Sequence, residues 1–267
     1  MIKNFKLKYY LSPFLIDLIR FYRSYQLKKV PSRILKTNSR WHNKYCGEEV
    51  FIIGNGPSLG DVDLSLIKGS KVIVMNSFER ATWKDSVEIV AHCIGEPSMV
   101  KAWSKSEILE SINGTKAKSY WLHFTSYNHF EKCGKRDLLH YVFITNEPGL
   151  WGNRAINLAK PTLTYQTTAQ LAILVALHMG FNKIGLLGFD HDWLASPDYS
   201  KHFYSNEKDS NDTLHEWSYL VIVNMIDRMW RIYYKLRDIA NYNGVEIYNL
   251  TKSSYLDVFK KDDLENF

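Results

Sequence analysis

The chain of 267 residues contains no run of eighteen apolar residues, so no bilayer-spanning helix is expected. It has three cysteines, Cys46, Cys93 and Cys133, at no metal or redox spacing. An odd, sparse set of thiols fits a reducing cytoplasm. The opening stretch, MIKNFKLKYYLSPFLIDLIRFYRS, is interrupted by Pro13, Asp17 and Arg20, and no small-residue cleavage site follows. It is therefore not expected to act as a secretory signal. There is no internal repeat and no low-complexity linker. At 45% hydrophobic and 14% aromatic residues, the composition is that of a globular protein with one substantial core.

Acidic residues are nearly absent from the first 45 positions. Eleven of the 34 basic residues and one of the 28 acids, Asp17, lie there, giving +10; the remainder carries −4, for +6 overall. A basic arm on a mildly acidic body points to an anionic surface rather than to nucleic acid, and no base-reading motif is present. Within the arm, Ser12-Pro13 reads as a helix start. Phe14, Leu15, Leu18, Ile19, Tyr22 and Tyr25 then recur at helical spacing beside Arg20, Arg23 and Lys28. Such a helix can lie in a membrane interface or pack on the body. Residues 1–45 are accordingly read as a membrane-associating arm, and 46–267 as the folded body.

Along the body, short apolar runs predict strands at 50–53, 71–75, 88–94, 119–124, 141–144, 183–187 and 245–250. Helical patterns fall between several of them, most clearly at 165–179 and 215–242. Strands alternating with helices predict an α/β fold: a single Rossmann-like domain with a mostly parallel sheet. Ligands in such sheets bind beyond the carboxyl ends of the strands. The search therefore narrows to the loops at 54–61, 76–80, 95–98 and from 188 onward.

The first of these follows the strand VFII and reads Gly54-Asn55-Gly56-Pro57-Ser58. It lacks the third glycine of a dinucleotide fingerprint and the lysine of a P-loop. Its glycines allow positive φ and a close ligand approach, and Pro57 suits a helix start, which together read as a phosphate cradle. A tight packing turn is the other reading. Asn76, one strand over, suits a base or ribose contact, or a turn cap. Thr167 and Thr168 crowd the start of AQLAILVALHMG, and 183-KIGLLGFDHDW-193 ends a buried strand in a Gly-Phe-Asp-His-Asp cluster. Asp190 and Asp192 suggest a metal pair, but hard cations want more oxygen ligands, so no metal site is predicted. The polar stretch 194–214 is long enough to be a functional lid. It carries His202, which titrates near neutrality and can act as a general base, with Tyr199 and Tyr204 as phosphate donors. His215, just before the last helix, is the competing base.

In this order, the motifs resemble the bacterial sialyltransferases of glycosyltransferase family 42. The shared features are Gly54–Ser58, Met75-Asn76-Ser77-Phe78, the Thr167-Thr168-Ala169 helix start, AILVALHMGFNKIGLLGFDH, and RDIANYNGVEIYNLTKSSYLDVF. The likeness spans about residues 49–259, weakest over 100–160. It also touches polysaccharide-cluster proteins similar to pterin pyrophosphokinases, which share the first loop. The resemblance implies a GT-A-like variant of the Rossmann-like fold. It also implies a CMP-sugar donor, no cofactor, and a glycan or glycolipid acceptor.

Under that resemblance the donor would be held by Gly54, Asn55, Gly56, Ser58, Asn76, Glu96, Thr167, Thr168, Gly188, Phe189, Asp190 and Tyr199. His202, Tyr204 and His215 would form the catalytic set. Tyr165 stands where the family has an arginine, Asp192 where it has a tyrosine, and Glu96 near the place of an asparagine. A peripheral enzyme on the cytoplasmic side of the inner membrane, and assembly as a homo-oligomer, are further expectations. A pyrophosphokinase-like ATP- and Mg²⁺-dependent transferase and a non-catalytic nucleotide-binding membrane protein are the alternatives.

Overall fold

The computed structural model describes residues 32–95, 105–130, 136–145, 156–192 and 219–267. The strands are β1 Glu49–Ile53, β2 Lys71–Met75, β3 Glu88–Ile94, β4 Tyr120–His123, β5 Leu139–Val142, β6 Ile144–Thr145, β7 Thr162–Leu163, β8 Lys183–Leu187, β9 Glu246–Asn249 and β10 Lys260–Lys261. Three longer helices are α1 Lys105–Gly114, α2 Thr168–Met179 and α3 Tyr219–Tyr242. Eight strands form one sheet in the order β10-β9-β8-β1-β2-β3-β4-β5, every described pairing being parallel. β6 and β7 pair separately, also in parallel.

Both faces of this sheet are covered, as parallel strands require. Val50 and Ile52 of β1 face one layer, built by α2, α3, Trp41 and Tyr45. Phe51 and Ile53, alternating with them, face the other, which includes Ile108 and Ile112 of α1 and Leu59, Ile67 and Phe78 of short 3₁₀ turns. α2 is buried almost all round, which explains its continuous apolar sequence. Thr167 caps its start, accepting from the Gln170 N–H at 3.3 Å, and Gly180 ends it at φ 87°. The helix therefore begins at 168, not 165.

The strands expected at the first three positions and at 183–187 form where the apolar runs place them. The fifth strand is displaced: Leu139–Val142 joins the main sheet, while Ile144–Thr145 leaves it to pair with Thr162–Leu163.

The division between arm and body also moves. Leu35, Asn38, Trp41 and Tyr45, spaced like one helical face, are buried in the body. Asn38 Nδ2 donates to the Tyr141 and Leu158 carbonyls at 2.8 Å each. Its Oδ1 accepts from His140 Nδ1–H, and its carbonyl from His178 Nε2–H, both at 3.0 Å. Positions 32–45 thus belong to the folded body. The amphipathic segment before them lies outside the described residues, as does the lid at 194–214. Among the described residues, no helix is long and apolar enough to cross a membrane.

Asn38→Ala should lower unfolding stability by about 3 kcal/mol. It strands two buried carbonyls and the His140 N–H, and buried polar groups left unpartnered cost roughly 1–3 kcal/mol apiece. Urea denaturation at pH 7.5 measures this; a wild-type midpoint would contradict it.

Candidate functional site

β1 lies between β8 and β2, so the chain reverses its direction of strand addition beside it. This is the topological switch point, where the ends of flanking strands leave a crevice. The loops after β1 and β8 meet there. Gly54 N–H donates to the Leu187 carbonyl at 2.7 Å, and Gly56 N–H to the Gly188 carbonyl at 3.0 Å. Ser58 gives its N–H to Asp190 Oδ1 at 3.1 Å and its hydroxyl to Asp190 Oδ2 at 2.8 Å.

These contacts correct the phosphate-cradle reading of the first loop. The amides of Gly54, Gly56 and Ser58 are all engaged within the protein. Neither Gly54 nor Gly56 has a positive φ. The glycines are required because the β8 loop approaches so closely: a Cβ on Gly56 would lie 1.7 Å from Asp190 Oδ2. Pro57 opens a 3₁₀ turn of five residues, Pro57–Asp61, rather than an α-helix with a usable N-terminal dipole. The locked loop presents the side chain of Asn55, whose Nδ2 approaches the Met75 carbonyl at 3.4 Å.

One strand over, Asn76 adopts a left-handed backbone, φ 49°. Its Oδ1 accepts from Gly95 N–H at 3.3 Å, closing the β2 and β3 ends. Its carbonyl accepts from His92 Nε2–H at 2.7 Å and from Ser111 Oγ at 2.8 Å. Burial holds His92 down at about 4, so it supports this turn as a neutral ring.

Among the described residues, the helix start that can serve an anion is that of α2. Twelve residues rise about 18 Å, close to the length of the strands beneath. α2 runs back from the carboxyl edge of the sheet to the start of β8, so Thr167 and Thr168 stand at that edge. The Thr168 hydroxyl is buried and has no partner among the described residues.

From Thr167, hydrogen bonds continue to Tyr233 of α3 and on to His191, whose Nε2 lies 2.9 Å from the Tyr233 hydroxyl. His191 in turn bonds to the Phe189 backbone. The Phe189 N–H donates to Thr251 Oγ1 at 3.0 Å, which anchors the β8 loop from the β9 side. The two sides of the crevice are therefore fixed to one another. Asp190 and His191 take different partners, Ser58 and Tyr233, so the Gly-Phe-Asp-His-Asp cluster serves loop bracing. Burial raises the Asp190 carboxyl, and the Ser58 hydrogen bonds counter it in part. Among the described residues no group of three His, Cys, Asp or Glu is arranged to hold a metal ion.

The structure resembles those of bacterial sialyltransferases. Three solved structures from Campylobacter jejuni illustrate the likeness. CstII with the substrate analogue cytidine-5'-monophosphate matches at TM-score 0.47 and 15% identity, covering 81% of this chain and 85% of that one. CstII with CMP-3FNeuAc matches at 0.48 and 14%, covering 80% and 86%. An apo α-2,3-sialyltransferase matches at 0.45 and 16%, covering 82% of each chain. No protein-family model matches the chain, and no curated protein matches it.

Of the residues expected at the site, Gly54, Asn55, Gly56, Ser58, Asn76, Thr167, Thr168, Gly188, Phe189 and Asp190 lie on the carboxyl edge of the sheet. Glu96, Tyr199, His202, Tyr204 and His215 fall outside the described residues. Sequence reasoning missed His123, Ser126 and Gln166, whose Nε2, Oγ and Oε1 are buried without partners among the described residues. The signal was available: β4 reads Tyr-Trp-Leu-His, an apolar run closed by a polar side chain at the ligand edge. Extending that strand to residue 124 hid it. His191 and Tyr233 were missed as well, because their pairing joins elements 42 positions apart.

Proposed function

We propose that the protein is an inverting glycosyltransferase that uses a CMP-linked donor, with sialic acid or a related acidic sugar as the group transferred. The observation that carries this reading is the start of α2. It presents first-turn amides and a buried Thr168 hydroxyl, unpartnered among the described residues, at the sheet edge that also carries Asn55 and Asn76. CMP leaves as a phosphate monoester, and hydrogen-bond donors at a helix start can stabilise the charge as it forms. The ordered motif resemblance over residues 49–259 supports the same donor class.

In the proposed reaction the acceptor hydroxyl oxygen bonds to the anomeric carbon. The bond from that carbon to the phosphate oxygen breaks, its electron pair leaving with CMP, and the hydroxyl proton passes to a base. His202 is assigned as this base, with His215 the competitor and Tyr204 and Tyr199 as donors to the phosphate. A base at near-neutral pKa contributes about 10²–10⁴-fold. The acceptor is a lipid-linked glycan or surface polysaccharide, reached at the inner face of the cytoplasmic membrane through the basic N-terminal segment.

Thermal shift with CMP, UDP, GDP and ATP tests the donor. CMP should raise Tm most; stabilisation by ATP with Mg²⁺ but not by CMP would favour a pyrophosphokinase-like enzyme. Thr168→Val gives a sharper test. The hydroxyl has no partner among the described residues, so its removal should leave Tm unchanged or raise it slightly. CMP affinity should fall about tenfold through the lost hydrogen bond. A parallel loss of Tm and affinity would make Thr168 merely structural.

A further inference from the structure

The carboxyl edge of the sheet continues past the nucleotide end of the crevice. β4 lies three strands from β1, about 14 Å away at ordinary strand spacing. That length accommodates the sugar attached to a nucleotide, or the acceptor that receives it. At the β4 end, His123 is 8% exposed and its ring meets the Tyr165 ring edge-on, centroids 6.0 Å apart. The end of β4 and the stretch leading into α2 therefore form one wall.

The protonation of His123 is fixed locally. Its Nδ1 accepts from the Thr125 backbone N–H at 3.3 Å and lies 2.8 Å from the Thr125 hydroxyl. Nδ1 therefore carries a lone pair, and the hydrogen resides on Nε2. Burial holds this ring at about 4, neutral at physiological pH. Its Nε2–H has no partner among the described residues. The same holds for Ser126 Oγ, on the turn after β4, and for Gln166 Oε1, next to Tyr165. Buried polar atoms are nearly always satisfied, so three without partners on adjoining segments mark a place for a ligand.

We propose that His123 is a sugar-positioning residue whose Nε2–H, with Ser126 Oγ and Gln166 Oε1, binds neighbouring hydroxyls of a pyranose. The set contains one obligate donor, one obligate acceptor and one hydroxyl that does both. Vicinal sugar hydroxyls, each donating and accepting, complement it. A carboxylate or phosphate only accepts and would face the Gln166 oxygen. The assignment rests on the transferase reading for the identity of the incoming sugar, and on His123 for how that sugar is held.

The test is ¹⁵N NMR of the histidine side chains in the full-length protein at pH 7.5, with the His123 signal assigned through His123→Phe. CMP, CMP-N-acetylneuraminic acid and lactose are titrated separately. His123 should show a protonated Nε2 before any addition. Its signal should move with CMP-N-acetylneuraminic acid if the hydroxyls belong to the donor, or with lactose if they belong to the acceptor. CMP alone should leave it unmoved. His123→Phe retains the aromatic contact and should weaken binding of the responding sugar about tenfold without changing CMP affinity. His123→Gln, which restores an N–H, should recover most of it. No response to either sugar, or an equal response to CMP, overturns the proposal. If CMP fails to bind but lactose moves the signal, the donor assignment falls and the sugar subsite stands. If CMP binds and neither sugar moves the signal, the reverse holds.

Discussion

Acidification from pH 7 to pH 5 should unfold the protein. His92, His123, His140 and His178 are each buried. Their hydrogen bonds define neutral rings. Nε2 of His92 donates to the Asn76 carbonyl and its Nδ1 faces the Thr115 hydroxyl at 2.7 Å. His140 accepts from Trp41 Nε1–H at 2.9 Å and donates to Asn38. His178 accepts from the Leu158 N–H at 3.2 Å and donates to Asn38. A second proton would face an N–H donor on three of them: Trp41 Nε1–H at His140, the Leu158 N–H at His178 and the Thr125 N–H at His123.

Burial accordingly holds His92, His123 and His178 at about 4 and His140 at about 3, with Arg40 beside His140 adding to the effect. In the unfolded chain each returns to about 6.5. Between these values the unfolded state binds more protons than the folded one, so stability falls as pH falls. Each ring forfeits about 2 kcal/mol between pH 7 and 5, and the four together about 7 kcal/mol, comparable with the whole stability of a typical domain. His191, held by burial at about 3, acts in the same direction. The raised Asp190 carboxyl opposes them, gaining as pH falls, but it is a single group. Urea midpoints measured from pH 8 to 5 should decline below about 6.5. A flat profile to pH 5 would show that the folded state accommodates the charges.

The parts of the fold that sequence shows plainly are those where composition and position agree. Val-Phe-Ile-Ile before Gly54 and Ile-Gly-Leu-Leu before Gly188 are apolar runs stopped by a turn, and both are central strands. β10 could not be read this way. It is Lys260–Lys261, two charged residues held by backbone pairing to Tyr248 and Asn249, with no apolar signature. Net charge hides the spacing of Leu35, Asn38, Trp41 and Tyr45, so positions 32–45 read in sequence as part of the arm. Long cationic side chains on its outer face obscured an apolar inner one.

The candidate site divides similarly. Sequence locates the Gly-Asn-Gly-Pro-Ser loop but not the neighbour that requires its glycines, because Gly188 and Asp190 arrive from more than 130 positions away. A glycine kept for positive φ and one kept for close approach read identically in sequence. His123 escaped notice for a different reason: a histidine at a strand end gains significance only once one nitrogen is seen to be engaged and the other is not.

Gly54→Ala isolates the contact on which the whole edge depends. A Cβ there would lie 2.2 Å from the Gly188 carbonyl oxygen, 2.8 Å from its carbon and 3.1 Å from the Leu187 oxygen. All three are backbone atoms, so no side-chain rotation relieves the clash. The β1 and β8 ends must separate by more than 1 Å to reach ordinary contact. That movement would disrupt the Gly54–Leu187 and Gly56–Gly188 hydrogen bonds and draw Ser58 away from Asp190. Nor can the β8 loop yield by changing conformation cheaply, since Gly188 already has φ 71° and is fastened through Phe189 to Thr251. Overpacking against backbone in the centre of a sheet should cost about 4 kcal/mol, at the upper end for a single substitution. Gly56→Ala should cost less, because the Asp190 carboxylate can swing away and the backbone contact that remains, with the Gly188 oxygen, is 2.7 Å rather than 2.2 Å. It would nevertheless release Ser58. Urea unfolding should therefore rank Gly54→Ala below Gly56→Ala and both below wild type, with CMP-induced thermal stabilisation lost in Gly54→Ala and weakened in Gly56→Ala. A Gly54→Ala protein with wild-type stability would mean that the two loops separate freely, and that the β1–β8 junction does not set the shape of the crevice.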